Sequence, residues 1–442
     1  MALPELQRPS RVTRWLAAAP RTTLGAYALL SAFGTYFCMY AYRKPFAVGG
    51  YDGSLQLLGV VFQTKIAFII AQVLGYTASK LLGIKLVSEI TATRRARSIL
   101  IAIAVAQAAL CGFAFAPDAL AALCLFINGL ALGVVWGLVF GFLEGRTTSD
   151  VLGAGLSVSF IVASGFAKSV GGTVLDWGIS ERAMPAVTGA LFALPILFFI
   201  ALLAQVPKPN SEDEAQRLRR QPMDRAARWS FFKSSAPGLL LLIIAYTWLS
   251  AYRDFRDNFA RELWDALGYA DTPAILTTAE LPVALGALIA VGSIIMIKDN
   301  RRALSAIHAL LVLGAVLIGG STLLFNTGLL PPAAWMILVG LGLYVAYVPF
   351  NCVLFDRMLP ALGSVGTAGF MIYVADSCGY LGSAGVLLYK NFAAPKLPWL
   401  EFMTTFSLLT GVLCTAMFLA SLWYFRDRTK PSPLGGLEER QS

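Results

Sequence analysis

The chain has 442 residues, of which 57% are hydrophobic and 14% charged, and its mean hydropathy is +0.69. Soluble domains carry about 25% charged residues, so this composition excludes a soluble globular protein and points to a polytopic membrane protein in a lipid bilayer. The net charge of +10 lies in short loops and tails, which ties it to membrane topology and leaves no reason to expect a nucleic-acid partner.

Twelve apolar stretches of about 20 residues read as spans. They run approximately over 24–48, 56–84, 98–115, 119–143, 152–175, 184–205, 238–256, 274–297, 303–325, 332–355, 364–389 and 399–425. The first 20 residues are basic, contain Pro4 and Pro9, and precede a run long enough to span, so no cleavable signal is expected. The even-numbered connections are basic: Arg94, Arg95 and Arg97 in the second, Lys298, Arg301 and Arg302 in the eighth. The positive-inside rule then places both termini and the middle loop in the cytoplasm, with the chain in the inner or plasma membrane.

The one long polar break, Pro207 to Pro237, mixes four acids with seven bases and reads as a cytoplasmic tether, with a short surface helix expected at 213–220. It divides the chain into an N-terminal half (1–206), a linker (207–237) and a C-terminal half (238–442). The halves repeat phrases at an offset of about 211 residues. Tyr40-Ala41-Tyr42-Arg43 returns as Ser250-Ala251-Tyr252-Arg253. Leu143-Glu144-Gly145-Arg146 returns as Phe355-Asp356-Arg357. The glycine-rich run 165–172 returns at 377–383. One offset at three places argues for duplication, and parallel six-span halves are a known transporter plan.

Charges inside spans are functional-site candidates, because a cation near the bilayer centre costs ~2.5–3.5 kcal/mol. Arg43 and Lys44 end span one, Arg253 and Asp254 lie in span seven, and Lys65, Lys168, Glu280 and Asp376 lie in spans two, five, eight and eleven. Two arginines can clamp a tetrahedral anion bidentately; the plain alternative is that they pair with internal acids such as Asp254 or Asp376. Two gating pairs are expected, Lys168–Glu280 and Lys65–Asp376, while Asp376 can instead carry a proton. Tyr42, Tyr252 and Trp136 suit a cavity wall or an interfacial belt. Gly129, Gly133, Gly137 and Gly141 form a small-residue face on span four. Pro45 and Pro349 are expected to kink spans one and ten. The six cysteines show no CxxC spacing and His308 is alone in an apolar run, so neither a disulfide nor a metal site is expected. No Walker, HExxH, GxSxG or dinucleotide-turn phrase occurs; no catalytic residue, enzyme activity or cofactor is expected.

Six plus six spans with a basic central loop resemble the major facilitator superfamily. Within it, Tyr40-Ala41-Tyr42-Arg43-Lys44-Pro45-Phe46, Tyr76-Thr77-Ala78-Ser79-Lys80, Ala167-Lys168-Ser169-Val170-Gly171-Gly172 and Gly379-Tyr380-Leu381-Gly382 are similar to phrases of the organophosphate:phosphate antiporter branch. The Tyr-Arg-Lys-Pro-Phe combination also resembles a group of bacterial facilitator-like proteins of unknown function. The resemblance implies an all-α membrane protein of twelve transmembrane helices in two pseudo-symmetric six-helix halves. It implies an anion site of Arg43, Arg253 and Lys168, with Lys80 contributing, where Lys168 replaces the branch's histidine. Glu89, in a degenerate loop-two signature, and Arg146 are expected to form an inner latch. The function implied is secondary active transport of a small anionic, phosphorylated solute by a monomer, in exchange for inorganic phosphate. Proton-coupled symport of a carboxylate or sugar acid stands as one alternative, and a transporter-like membrane sensor as another.

Overall fold

A computed structural model describes residues 10–57, 59–90, 92–143, 149–208, 225–362 and 369–428. Among the described residues the regular structure is helical apart from one two-stranded hairpin. Helices dominate because a lipid-exposed backbone must satisfy its hydrogen bonds within the segment.

In chain order the spans are Arg21–Tyr42, Thr64–Leu82, Arg94–Phe115, Asp118–Phe140, Gly155–Asp176, the pair Met184–Leu191 with Ala193–Leu203 bent by 45°, Ser235–Asn258, Ile275–Ile295, Asn300–Asn326, Pro332–Cys352, Gly369–Phe392 and Trp399–Arg428. Among the described residues ten are long and apolar enough to cross a membrane, eleven with the bent pair. Gly369–Phe392 is not among these; it is 24 residues long and carries Asp376, Lys390 and Asn391. Each expected span thus has a helical counterpart, and the protein is an all-α, multi-pass integral membrane protein.

Two spans differ from expectation at their boundaries. Span two does not begin at 56: Ser54–Leu57 (β1) pairs antiparallel with Val60–Gln63 (β2), Leu57 opposite Val60. Val60 and Val61 favour the pleated backbone, and Gly59, at φ +80°, supplies the left-handed turn residue. The helix of span seven starts at Arg225, inside the stretch read as linker, and runs on to Asn258. The surface helix expected at 213–220 lies outside the described residues.

The chain packs into two compact units. The first comprises Met1–Arg219, Phe255–Ala284 and Ala384–Trp399; the second comprises Arg220–Asp254, Leu285–Ser383 and Leu400–Ser442. In the first unit the small-residue face of span four meets span two. A Cβ on Gly129 would strike the Gln72 carbonyl, and one on Gly75 would strike that of Phe126. Gly133 lies equally close to Ser79. In the second unit span nine meets span ten through Gly314 and Gly342. There Trp335 stacks on Phe325 at 4.3 Å and donates to Thr322 at 3.0 Å. His308 is fully buried between the Leu304 carbonyl (2.9 Å) and the Ser421 hydroxyl (3.1 Å), a packing role.

Candidate functional site

The first unit's site is built on a break in span one. The α-helix ends at Met39, and Tyr40–Tyr42 and Pro45–Val48 continue as two 3-10 turns. Pro45 has no N–H to give, and the carbonyls of Tyr42 and Arg43 turn to side chains. Asn128 Nδ2 donates to the Tyr42 carbonyl at 3.0 Å, and Gln72 Nε2 donates to that of Arg43 at 3.0 Å. Gln72 also donates to Asn128 Oδ1 at 2.9 Å. The glycine contact between spans two and four lets these short amides reach each other.

The break presents two consecutive cations to different surroundings. The Arg43 guanidinium lies over the Tyr76 ring at 3.9 Å and over Tyr40 at 5.9 Å. One turn beyond Tyr76, Lys80 holds its ammonium 5.8 Å from the same ring and 5.1 Å from Trp136. Trp136 stacks on Phe140 at 5.0 Å. Arg43 and Lys80 are both buried. Cation–aromatic contacts contribute about 0.5–2 kcal/mol each and here hold both cations against one aromatic wall.

Lys44 belongs to a cluster of ion pairs. Its ammonium lies 2.5 Å from Asp257 and donates to Asn258 at 3.0 Å. Asp257 also takes Lys168 at 2.7 Å and a hydroxyl hydrogen from Ser164 at 2.5 Å. Lys65 pairs with Glu262 and donates to the Ala47 carbonyl at 2.8 Å. Arg256 pairs with Glu280 at 2.9 Å. The expected Lys168–Glu280 pair is therefore corrected: Lys168 meets Asp257, and Glu280 meets Arg256. Lys65 meets Glu262 within the first unit, and Asp376 accepts from Tyr246 at 2.6 Å within the second; the Lys65–Asp376 pair, which would join residues of the two units, stays an expectation. Asp257 and Glu262 were missed because span seven was read as ending at 256, which left both in a loop. The spacing Arg253, Asp254, Arg256, Asp257 on one continuing helix was the available signal.

The adjoining loop is tied down as well. Glu181 accepts from the backbone N–H of Gly50 at 2.7 Å and of Tyr51 at 3.0 Å. Burial, and then the charge of Glu181, pushes the Tyr51 phenol well above its ordinary range, against an opposing pull from Arg182.

The second unit holds the other arginine in a polar network. Arg253 pairs with Asp254 at 2.7 Å, donates to the Tyr347 hydroxyl and lies 4.6 Å over that ring. Asp254 accepts from Ser383 at 2.7 Å. Tyr347 stacks on Tyr246 at 4.8 Å, and their hydroxyls are 2.8 Å apart. A chain of polar groups thus runs from Asp376 through two phenols to Arg253 and Asp254. The plain alternative raised from sequence, that Arg253 pairs with an internal acid, holds for Asp254.

Tyr42 and Tyr252 are used in packing. Tyr42 is 2% exposed, with its ring against Gly189 of span six. Tyr252 is fully buried, bonded to Ser407 at 2.7 Å and set edge-on to Phe406 of span twelve. The side chain of Glu89, and Arg146 entirely, lie outside the described residues, so the inner latch has no geometry here.

Three solved structures resemble this fold. A D-xylose–proton symporter matches with a TM-score of 0.62 at 15% identity, covering 92% of this chain and 98% of its own. A mutant form of the peptide transporter POT, in complex with sulfate, matches at 0.58 and 14%, covering 94% and 99%. A bacterial homologue of the human drug peptide transporters PepT1 and PepT2 matches at 0.57 and 14%, covering 92% and 98%. The fold is that of the major facilitator transporters. No curated protein matches in sequence. The profile described as "Family of unknown function (DUF5690)" matches residues 45–428.

Proposed function

This chain belongs to the DUF5690 family of unknown function, and from that premise we propose that it is a secondary active transporter, carrying a small anionic solute by alternating access. One observation carries the reading: Arg43 and Lys80, two buried cations, share the Tyr76 ring. The guanidinium fork matches phosphate and carboxylate geometry. The resemblance of the span-one and span-two phrases to the organophosphate:phosphate antiporters favours a phosphorylated solute exchanged for inorganic phosphate. The same resemblance assigns Arg253 of the second half to the solute.

In this reading both termini are cytoplasmic and the Asp257, Glu262 and Glu280 pairs form the outer gate, with Lys168 a gate residue instead of an anion ligand. Trp136 and Lys80 remain at the site; Tyr42 and Tyr252 serve in packing, each within its own unit. A second reading, proton-coupled symport, is favoured by the 2.6 Å Tyr246–Asp376 hydrogen bond. There Asp376 would take up the proton, as intramembrane acids do. A structural neighbour is a proton symporter.

The test is anion binding by purified protein. Arg43→Lys, which keeps the charge and loses the fork, is expected to weaken inorganic phosphate binding about tenfold or more, and Lys80→Gln by a similar factor. Unchanged affinity in both variants would remove the site.

A further inference from the structure

We infer that Gln72 and Asn128 are positioning residues that set the proposed anion site and the Lys44–Asp257 ion pair together, acting through the break in span one. The anion half of this inference rests on the proposed function; the ion-pair half does not.

Arg43 and Lys44 are adjacent, yet one guanidinium lies on Tyr76 and the next ammonium lies 2.5 Å from Asp257. A 3-10 break has poor internal hydrogen bonding, so something else must fix the backbone between them. The two amides do this. Gln72 Nε2 donates to the Arg43 carbonyl and to Asn128 Oδ1. Asn128 Nδ2 donates to the Tyr42 carbonyl and, at 3.3 Å, to that of Ala106. Both N–H bonds of each amide are thus used. Gln72 is 3% exposed and Asn128 fully buried, where a carbonyl left without a donor is strongly disfavoured. Gly129 lies against the Gln72 backbone, so spans two and four approach closely enough for both amides to reach the break. Any shift of the break therefore moves Arg43 and Lys44 as one piece. Anion contact at Arg43 is transmitted to the Lys44–Asp257 pair through a single peptide unit.

The experiment uses the full chain in nanodiscs on a cysteine-free background carrying Ala260→Cys. Ala260 is 7% exposed and follows the Asp257–Asn258 pair in sequence. Two readouts are taken: labelling of that cysteine by an impermeant maleimide, and affinity for inorganic phosphate. Gln72→Met and Asn128→Leu are expected to raise labelling several-fold and to weaken phosphate binding about tenfold. Gln107→Met removes a different amide, one that donates to the Ala186 carbonyl at 3.0 Å and does not hold the break; it is expected to change neither. Gln72→Glu, which keeps the shape and loses the donor, stands in if Gln72→Met does not fold. Parental labelling in the Gln72 and Asn128 variants, or equal changes in Gln107→Met, would overturn the inference. If the parent protein does not bind phosphate, the anion-site reading fails alone, and the labelling result still decides whether the amides position Lys44.

Discussion

Asp257 meets Lys44 at 2.5 Å and Lys168 at 2.7 Å, and both ammonium groups are almost completely buried. Two cations on one carboxylate make the acid the sensitive member: removing either lysine leaves a pair, while removing the acid leaves two buried like charges. Breaking a buried pair in this way costs about 3–5 kcal/mol. Asp257→Asn is therefore expected to lower the thermal midpoint in detergent by more than either Lys44→Met or Lys168→Met; equal shifts in all three would contradict the shared-carboxylate account. The lysines were legible in the sequence, because a charge in an apolar run stands out. Their partner was not, since it fell just past the expected end of span seven, where a carboxylate looks like an ordinary loop residue. Lys168 was consequently assigned to the wrong acid, Glu280 in place of Asp257. Arg43 and Arg253 looked alike as repeated Ala-Tyr-Arg phrases, yet their neighbours differ: aromatic faces at Arg43, Asp254 and Tyr347 at Arg253. Residues contributed by distant spans set that difference, so no local pattern reveals it.

Helix contacts were readable where they depend on glycine and unreadable where they depend on backbone breaks. Gly129 and Gly133 of span four pack on span two as a small-residue face should, whereas a Cβ on Gly141 would meet Arg95. In span five, a Cβ on Gly165 would meet the Leu276 carbonyl at the start of span eight. Gly165→Val is thus expected to destabilise the protein by about 1–3 kcal/mol, measured as a lowered unfolding midpoint. Gly292, with open space at its Cβ, is expected to tolerate the same change; equal losses at both positions would refute the contact. Pro45 signalled a kink in span one, but not that the helix would give way from Tyr40 onward with Gln72 and Asn128 holding the freed carbonyls. The hairpin β1–β2 was read into span two because only Gln63, Thr64 and Lys65 separate its apolar residues from those of the helix. Asn391 Oδ1 accepts from the Gln63 N–H at 2.9 Å and its Nδ2 donates to the Val61 carbonyl at 3.3 Å, which covers that edge of β2 and spares it from pairing with another chain.

At the scale of the whole molecule, composition and loop charge were enough to read a multi-pass helical membrane protein, because both follow from the cost of burying charge and unpaired backbone in lipid. The facilitator fold followed from the repeated phrases and is matched by three transporter structures at 14–15% identity. The solute was less legible, since it depends on a few side chains that the fold leaves free to vary. The central claim is that the buried Arg43–Tyr76–Lys80 cluster serves transport of an anion. Counterflow in proteoliposomes tests it most directly. Phosphate-loaded vesicles containing the protein are expected to accumulate a labelled organophosphate without an imposed proton gradient, and Arg43→Lys vesicles to lose most of that accumulation. Uptake that requires a proton gradient and is lost in Asp376→Asn would replace exchange by symport. Absence of anion flux under every gradient, or full flux in Arg43→Lys, would contradict the account.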